Sequence, residues 1–133
     1  MREVFVCENP VVVAAADWLG AGCLPLVCTS GQPGGAVPHL LRRLTSAGAA
    51  LHYHGDFDWG GLRIGNVVFA RVPAAPWRFR TADYRDAAHH GRDLTGTPVV
   101  AAWDGGLGAA MSETGVAVEE EHVIDDLLTD LAG

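Results

Sequence analysis

The stretch Ala49-Ala50-Leu51-His52-Tyr53-His54-Gly55-Asp56-Phe57-Asp58-Trp59-Gly60-Gly61-Leu62 carries the fold in miniature: an apolar run, two carboxylates one residue apart, then a glycine pair. The run predicts a strand over residues 49–55, and Gly60-Gly61 predicts a turn into a helix through Leu62, Ile64, Val67 and Phe69. In an extended chain, side chains at i and i+2 share a face, so Asp56 and Asp58 are expected side by side at the strand tip. Each then raises the cost of ionising the other, and a divalent cation relieves that repulsion. Paired hard oxygens suit Mg²⁺ or Mn²⁺. The same residues also suit an acidic turn that closes a strand, and that reading stays open. His52 and His54 share the parity of the aspartates; His54 could position water or a phosphate, or be a structural histidine.

Upstream, residues 4–7 read as a short buried strand ending at Glu8. Asn9 can cap the following helix, with Pro10 in its first turn and residues 11–19 as its body. Residues 25–29 form a second strand running into Ser30-Gly31, a turn whose amides and hydroxyl could contact a phosphate. A second helix runs from Val37 or Pro38 to about Ala47. Strand and helix thus alternate with short links, which predicts an α/β domain: a Rossmann-like, mostly parallel sheet with helices on both faces. Right-handed crossovers would place Glu8, Ser30-Gly31 and the Asp56/Asp58 pair along one edge, at the carboxyl ends of the strands.

The second half is less regular. Residues 77–79 could form a short strand, and Thr81 is expected to cap a helix through Tyr84 and Ala88. Residues 97–103 are apolar, and Pro98 leaves a strand start and a loop as equal readings. Asp104, at their tip, is a candidate metal or structural contact. Residues 119–131 have helical periodicity; Glu119-Glu120-Glu121 reads as a solvated helix start, or as the source of a second-metal ligand in Glu120 or Glu121. His89-His90 reads as surface.

At 133 residues the chain has room for one domain, spanning 1–133, and its 49% hydrophobic content predicts a packed core. No apolar run approaches the ~20 residues of a membrane span, and the start lacks the regions of a signal peptide. Three cysteines without a CxxC pair predict reduced thiols and a cytoplasmic location. A net charge of −7 is unlike a protein that grips nucleic acid unaided.

Glu8 after the first strand, together with Asp56-x-Asp58 after the third, resembles the TOPRIM domain of type IIB topoisomerases, bacterial primases and several nucleases. Asp56-Phe57-Asp58-Trp59-Gly60-Gly61-Leu62-Arg63-Ile64 is similar to the topoisomerase VI pattern D-x-D-P-x-G-x-x-I, with Trp59 in place of proline. The Glu8-Asn9-Pro10 opening and the His54–Gly61 run are similar to the carboxy-terminal domain of JetD, the nuclease subunit of the Wadjet anti-plasmid system. The resemblance implies a metal-dependent DNA endonuclease, with Glu8, Asp56 and Asp58 as both catalytic and metal-binding residues. It also implies that the chain is the carboxy-terminal catalytic part of a longer protein. DNA would then be reached mainly through other domains or subunits, with a condensin-like complex or a homodimer as candidate assemblies and no membrane. In the topoisomerases a tyrosine on a separate domain attacks the DNA; neither Tyr53 nor Tyr84 matches its position, so hydrolysis by water is expected. The alternatives are a transesterase module needing an external tyrosine, and a metal-binding regulatory or assembly domain that does not cut. A haloacid-dehalogenase-type phosphotransferase would carry its Asp-x-Asp after the first strand rather than the third.

Overall fold

The computed structural model describes residues 2–30 and 36–133. Four strands, β1 (Glu3–Cys7), β2 (Leu26–Cys28), β3 (Ala50–Tyr53) and β4 (Ala74–Pro76), form one parallel sheet in the order β2-β1-β3-β4. The expected α/β layout with helices on both faces is therefore present. Strand parity explains how: Val4, Val6, Leu51 and Tyr53 point to one core, while Phe5 and Cys7 point to the other. The first core is covered by helices α2 (Ala36–Ser46) and α3 (Trp59–Arg71), through Leu41, Leu62 and Val68. The second is covered by α1 (Pro10–Ala16) through Val12 and Ala16. Helix α6 (Ile124–Leu131) joins it there through Leu127 and Leu131.

The chain steps from β1 outward to β2, then returns across β1 to build β3 on its other side. Connections from β1 and β3 therefore leave on opposite faces and open a crevice between their carboxyl ends, where α/β sheets hold ligands. Asn9 caps α1 by accepting the Val11 N–H at 3.0 Å, as its residue type predicts. Helix α1 ends at Ala16 rather than near Leu19, and a 3₁₀ segment (Asp17–Gly22) follows, kinked at Gly20 with φ 55°.

Three expectations for the second half need correction. The strand lies at Ala74–Pro76, not at 77–79: Trp77 gives its N–H to the Tyr53 carbonyl, and the chain then turns away at Arg78, whose φ is +46°. Helix α4 (Thr81–Ala87) begins at Thr81, with Arg80 in the cap position; Thr81 donates to Asp104 instead of capping. Residues 119–131 are helical from Glu120 on, but their start is not the solvated one expected. They form a 3₁₀ turn (Glu120–Val123) followed by α6, and Glu120 is fully buried. Of the two readings of residues 97–103, the loop is the one found. Strands β5 (Arg92–Asp93) and β6 (Val116–Ala117) form a small antiparallel ribbon, with α5 (Leu107–Thr114) between them. No helix among the described residues is long and apolar enough to cross a membrane.

Candidate functional site

The β1–β3 ladder brings Glu8 and Asp56 together. His54 gives its N–H to the Val6 carbonyl at 2.9 Å, extending the pairing so that Glu8 falls opposite the Gly55-Asp56 peptide. A Glu8 carboxyl oxygen accepts the Asp56 N–H at 3.3 Å. Gly55 leaves room for this approach: a Cβ there would stand 3.0 Å from the same oxygen and 3.3 Å from the Tyr53 hydroxyl. Asp58 opens α3, accepting the Gly61 N–H at 2.6 Å, and its second oxygen lies 3.6 Å from the Arg92 guanidinium. Gly61 is required by the tight turn, since a Cβ would collide with the Asp56 carbonyl.

The wall of the crevice comes from far along the chain. Phe57 and Val118 exchange two backbone hydrogen bonds, of 2.7 and 3.1 Å, in an isolated antiparallel bridge. That bridge delivers Glu120, whose N–H donates to Asp56 at 2.8 Å. The Glu120 carboxylate points inward, where it accepts the N–H groups of Glu8 and Asn9 and the Nδ1–H of His54. Its bond to His54 is 2.8 Å.

Glu8 and Asp56 are thus partly buried carboxyls, joined through the Asp56 main-chain N–H. Burial pushes Glu8 up to about 8, and the charge of Asp56 adds to the shift. Burial also pushes Asp56 up to about 6; the Glu120 N–H works against this, while the charges of Glu120 and Asp58 add to it. Arg92 pairs with Asp58, but it is half exposed and is engaged by Glu119.

Glu8, Asp56 and Asp58 are therefore the residues that could hold a hard divalent cation at this crevice. The donor set suits one: all oxygen, two of the three carboxyls raised by burial and then by neighbouring carboxylate charge, and one oxygen of each used by an amide. Among the described residues, no three His, Cys, Asp or Glu side chains already stand in a metal-holding arrangement.

The remaining candidates have other placements. Ser30 lies exposed at the end of β2 with φ 56°, its N–H on the Cys28 sulfur at 3.3 Å. Gly31 lies outside the described residues. His54 is buried and tied to Glu120 rather than open to the crevice, and His52 stacks on Phe5 beside Glu3. Asp104 is used at the start of α4, accepting the Thr81 N–H and hydroxyl at 2.8 Å each and the Gly106 N–H at 3.1 Å. These bonds hold its carboxyl below the usual range. Glu120 is at the site, but as the acceptor that holds Glu8, Asn9 and His54, while Glu121 is exposed. Sequence reasoning missed two further residues beside the site. Arg92 reaches it from β5, and the Tyr53 hydroxyl, buried without a partner among the described residues, sits beside Gly55. Tyr53 carried a signal only as a core strand residue, and Arg92 carried none.

The fold and the site define an α/β domain with an acidic crevice at the switch point of a parallel sheet. A family model described as "Protein of unknown function C-terminus (DUF2399)" matches residues 1–131, and the chain belongs to that family. No curated protein matches its sequence.

Proposed function

We propose that the domain is a divalent-metal-dependent DNA endonuclease of TOPRIM type, similar to the nuclease subunit of Wadjet systems. The observation that carries this reading is the meeting of Glu8 with Asp56 at the switch point, Asp58 beside them at the start of α3. The family's description as a C-terminus agrees with a catalytic part carried at the end of a longer protein. The chemistry that bound Mg²⁺ or Mn²⁺ supplies is charge neutralisation at the phosphodiester and a more acidic water. Glu8 and Asp56 hold the charge in a partly water-excluded setting, and Asp58 offers the oxygen that faces Arg92. Glu120 fixes the backbone beneath them. At a net charge of −7, affinity for DNA must come mainly from other domains or subunits.

A plasmid-nicking assay with Mn²⁺ tests this, run on the chain alone and joined to the upstream region proposed for it. Nicking that is lost in Asp56→Ala/Asp58→Ala supports the assignment, and nicking unchanged in that variant refutes it. The acidity also favours a second reading, a metal-binding assembly domain that does not cut. It predicts carboxylate-dependent Mn²⁺ binding with no nicking in either form.

A further inference from the structure

Cys7 and Cys28 are direct partners across the β1–β2 ladder, at the carboxyl ends of both strands, and both are free thiols. Residues opposite each other in register project from the same face, and both side chains enter the second core. Neighbouring strands lie about 4.8 Å apart. A disulfide spans about 4.4–6.8 Å between Cα atoms, so the register holds this pair at bridging distance. Cys23 packs against the same core but lies outside the ladder, its thiol donating to the Leu24 carbonyl at 3.2 Å.

Access differs between the two partners. Cys28 is half-buried on β2, an edge strand, whereas Cys7 is fully buried on β1, its inner neighbour. Burial, with the charges of Glu120 and Cys28 adding to it, also raises the Cys7 thiol well above its usual range. A small oxidant therefore meets Cys28 first. Both thiols reach into one turn. Cys28 donates to the Glu8 carbonyl at 3.4 Å and Cys7 to the Asn9 carbonyl at 3.7 Å, while the Ser30 N–H donates to the Cys28 sulfur at 3.3 Å.

We propose that Cys7 and Cys28 are a modification site for peroxides, which convert the pair into a reversible cross-strand disulfide and so take both S–H donors from the Glu8-Asn9 turn. With hydrogen peroxide, the Cys28 sulfur attacks one oxygen and the O–O bond breaks, leaving a sulfenic acid and one water. The Cys7 sulfur then attacks the Cys28 sulfur, the S–O bond breaks, and the Cys7 proton leaves with the hydroxyl as a second water. Two thiols are oxidised and one peroxide is reduced. A dithiol restores both S–H groups by exchange. The proposal stands without the metal-binding reading.

The test is treatment of the folded chain with hydrogen peroxide, then denaturation, blocking of the remaining thiols with N-ethylmaleimide and mass spectrometry. One blocked thiol of the three is expected, with two hydrogens lost, and all three return after dithiothreitol. Cleavage before Asp17 separates Cys7 from Cys23 and Cys28, so the bridge should hold the two fragments together. It should persist in Cys23→Ser and vanish in Cys28→Ser, whose fold circular dichroism checks. The same oxidation in urea, where no ladder fixes the pair, should scatter over the three pairings. The ¹³C resonances of the Glu8 and Asn9 carbonyls should shift in the oxidised chain. The site is overturned by a bridge that uses Cys23, by pairing as scattered in the folded chain as in urea, or by Cys28 carried on to sulfinic acid with Cys7 unlinked. It is equally overturned by a folded chain left unoxidised at a peroxide dose that oxidises it in urea. Unmoved carbonyl resonances overturn its coupling to the turn.

Discussion

The Glu120 carboxylate accepts the main-chain N–H of Glu8, yet the surroundings of the two carboxyls are opposite. Glu120 is completely buried and is met by three donors: the amides of Glu8 and Asn9 and the ring of His54. Glu8 is partly buried and, among the described residues, is met by a single long amide contact, with the charge of Asp56 pressing on it. The first arrangement is complete as it stands and belongs to the framework. The second is strained by burial and by its neighbour's charge, which is where the proposed cation would act.

Removing the satisfied carboxylate is the most damaging way to break this contrast. Glu120→Ala strands buried donors, each costing about 1–3 kcal/mol, so a total loss of about 3–5 kcal/mol is expected in urea denaturation. A loss below about 1 kcal/mol would mean that Glu120 is not the framework residue described.

The starved pair should behave in the opposite sense. Glu8 and Asp56 have carboxyl pKa values raised by folding, so in metal-free buffer their contribution is fully present below about pH 4. It is lost as pH rises through about 6 for Asp56 and about 8 for Glu8. Glu8→Gln should therefore stabilise the metal-free domain at pH 8, by on the order of 2 kcal/mol, and flatten its thermal-melt profile between pH 5 and 8. Wild-type protein should gain a similar amount from Mg²⁺ or Mn²⁺ at about 100 times its Kd, and Glu8→Gln should not. A variant that melts below wild type at every pH would reverse this assignment.

Gly55→Ala probes the same pair more gently, since the new methyl meets a Glu8 oxygen at 3.0 Å. Folding should change by about 1 kcal/mol or less, while Mn²⁺ affinity, read by calorimetry, falls about tenfold. The smallest effect belongs to Arg92→Ala. Its pairs with Asp58 and Glu119 are exposed, so the expected change in stability is within about 0.5 kcal/mol.

How much of this was legible beforehand follows the range of the interactions. The β1, β2 and β3 segments, their linking helices and the shared edge of Glu8 and Asp56 came from local patterns: alternating apolar residues, caps and glycine turns. The Asn9 cap is a one-residue signal and was read correctly. Glu120 was misread because its acceptors' partners lie 111 and 112 residues away for Asn9 and Glu8, and nothing in Glu119-Glu120-Glu121 marks which glutamate turns inward. Residues 77–79 are apolar enough for a strand, but the parallel ladder already ends at Pro76 and Arg78 takes a backbone angle that no composition rule anticipates. His54 shares strand parity with the aspartates, but its ring is packed among Phe57, Trp77 and Phe79 and held by Glu120, a partner 66 residues away that no local pattern marks.

The Phe57–Val118 bridge also fixes an order of events while the chain is being made. Strands β1 and β3 can pair once residues 3–53 have emerged from the ribosome, but residues 118–120 follow well after them. Until they do, the Glu8 and Asn9 amides have no acceptor in Glu120 and Asp56 has no donor from its N–H. Nascent chains would therefore carry the β1–β3 pairing before the wall of the crevice, and the surroundings of the acidic pair would be completed only after residue 120 has emerged.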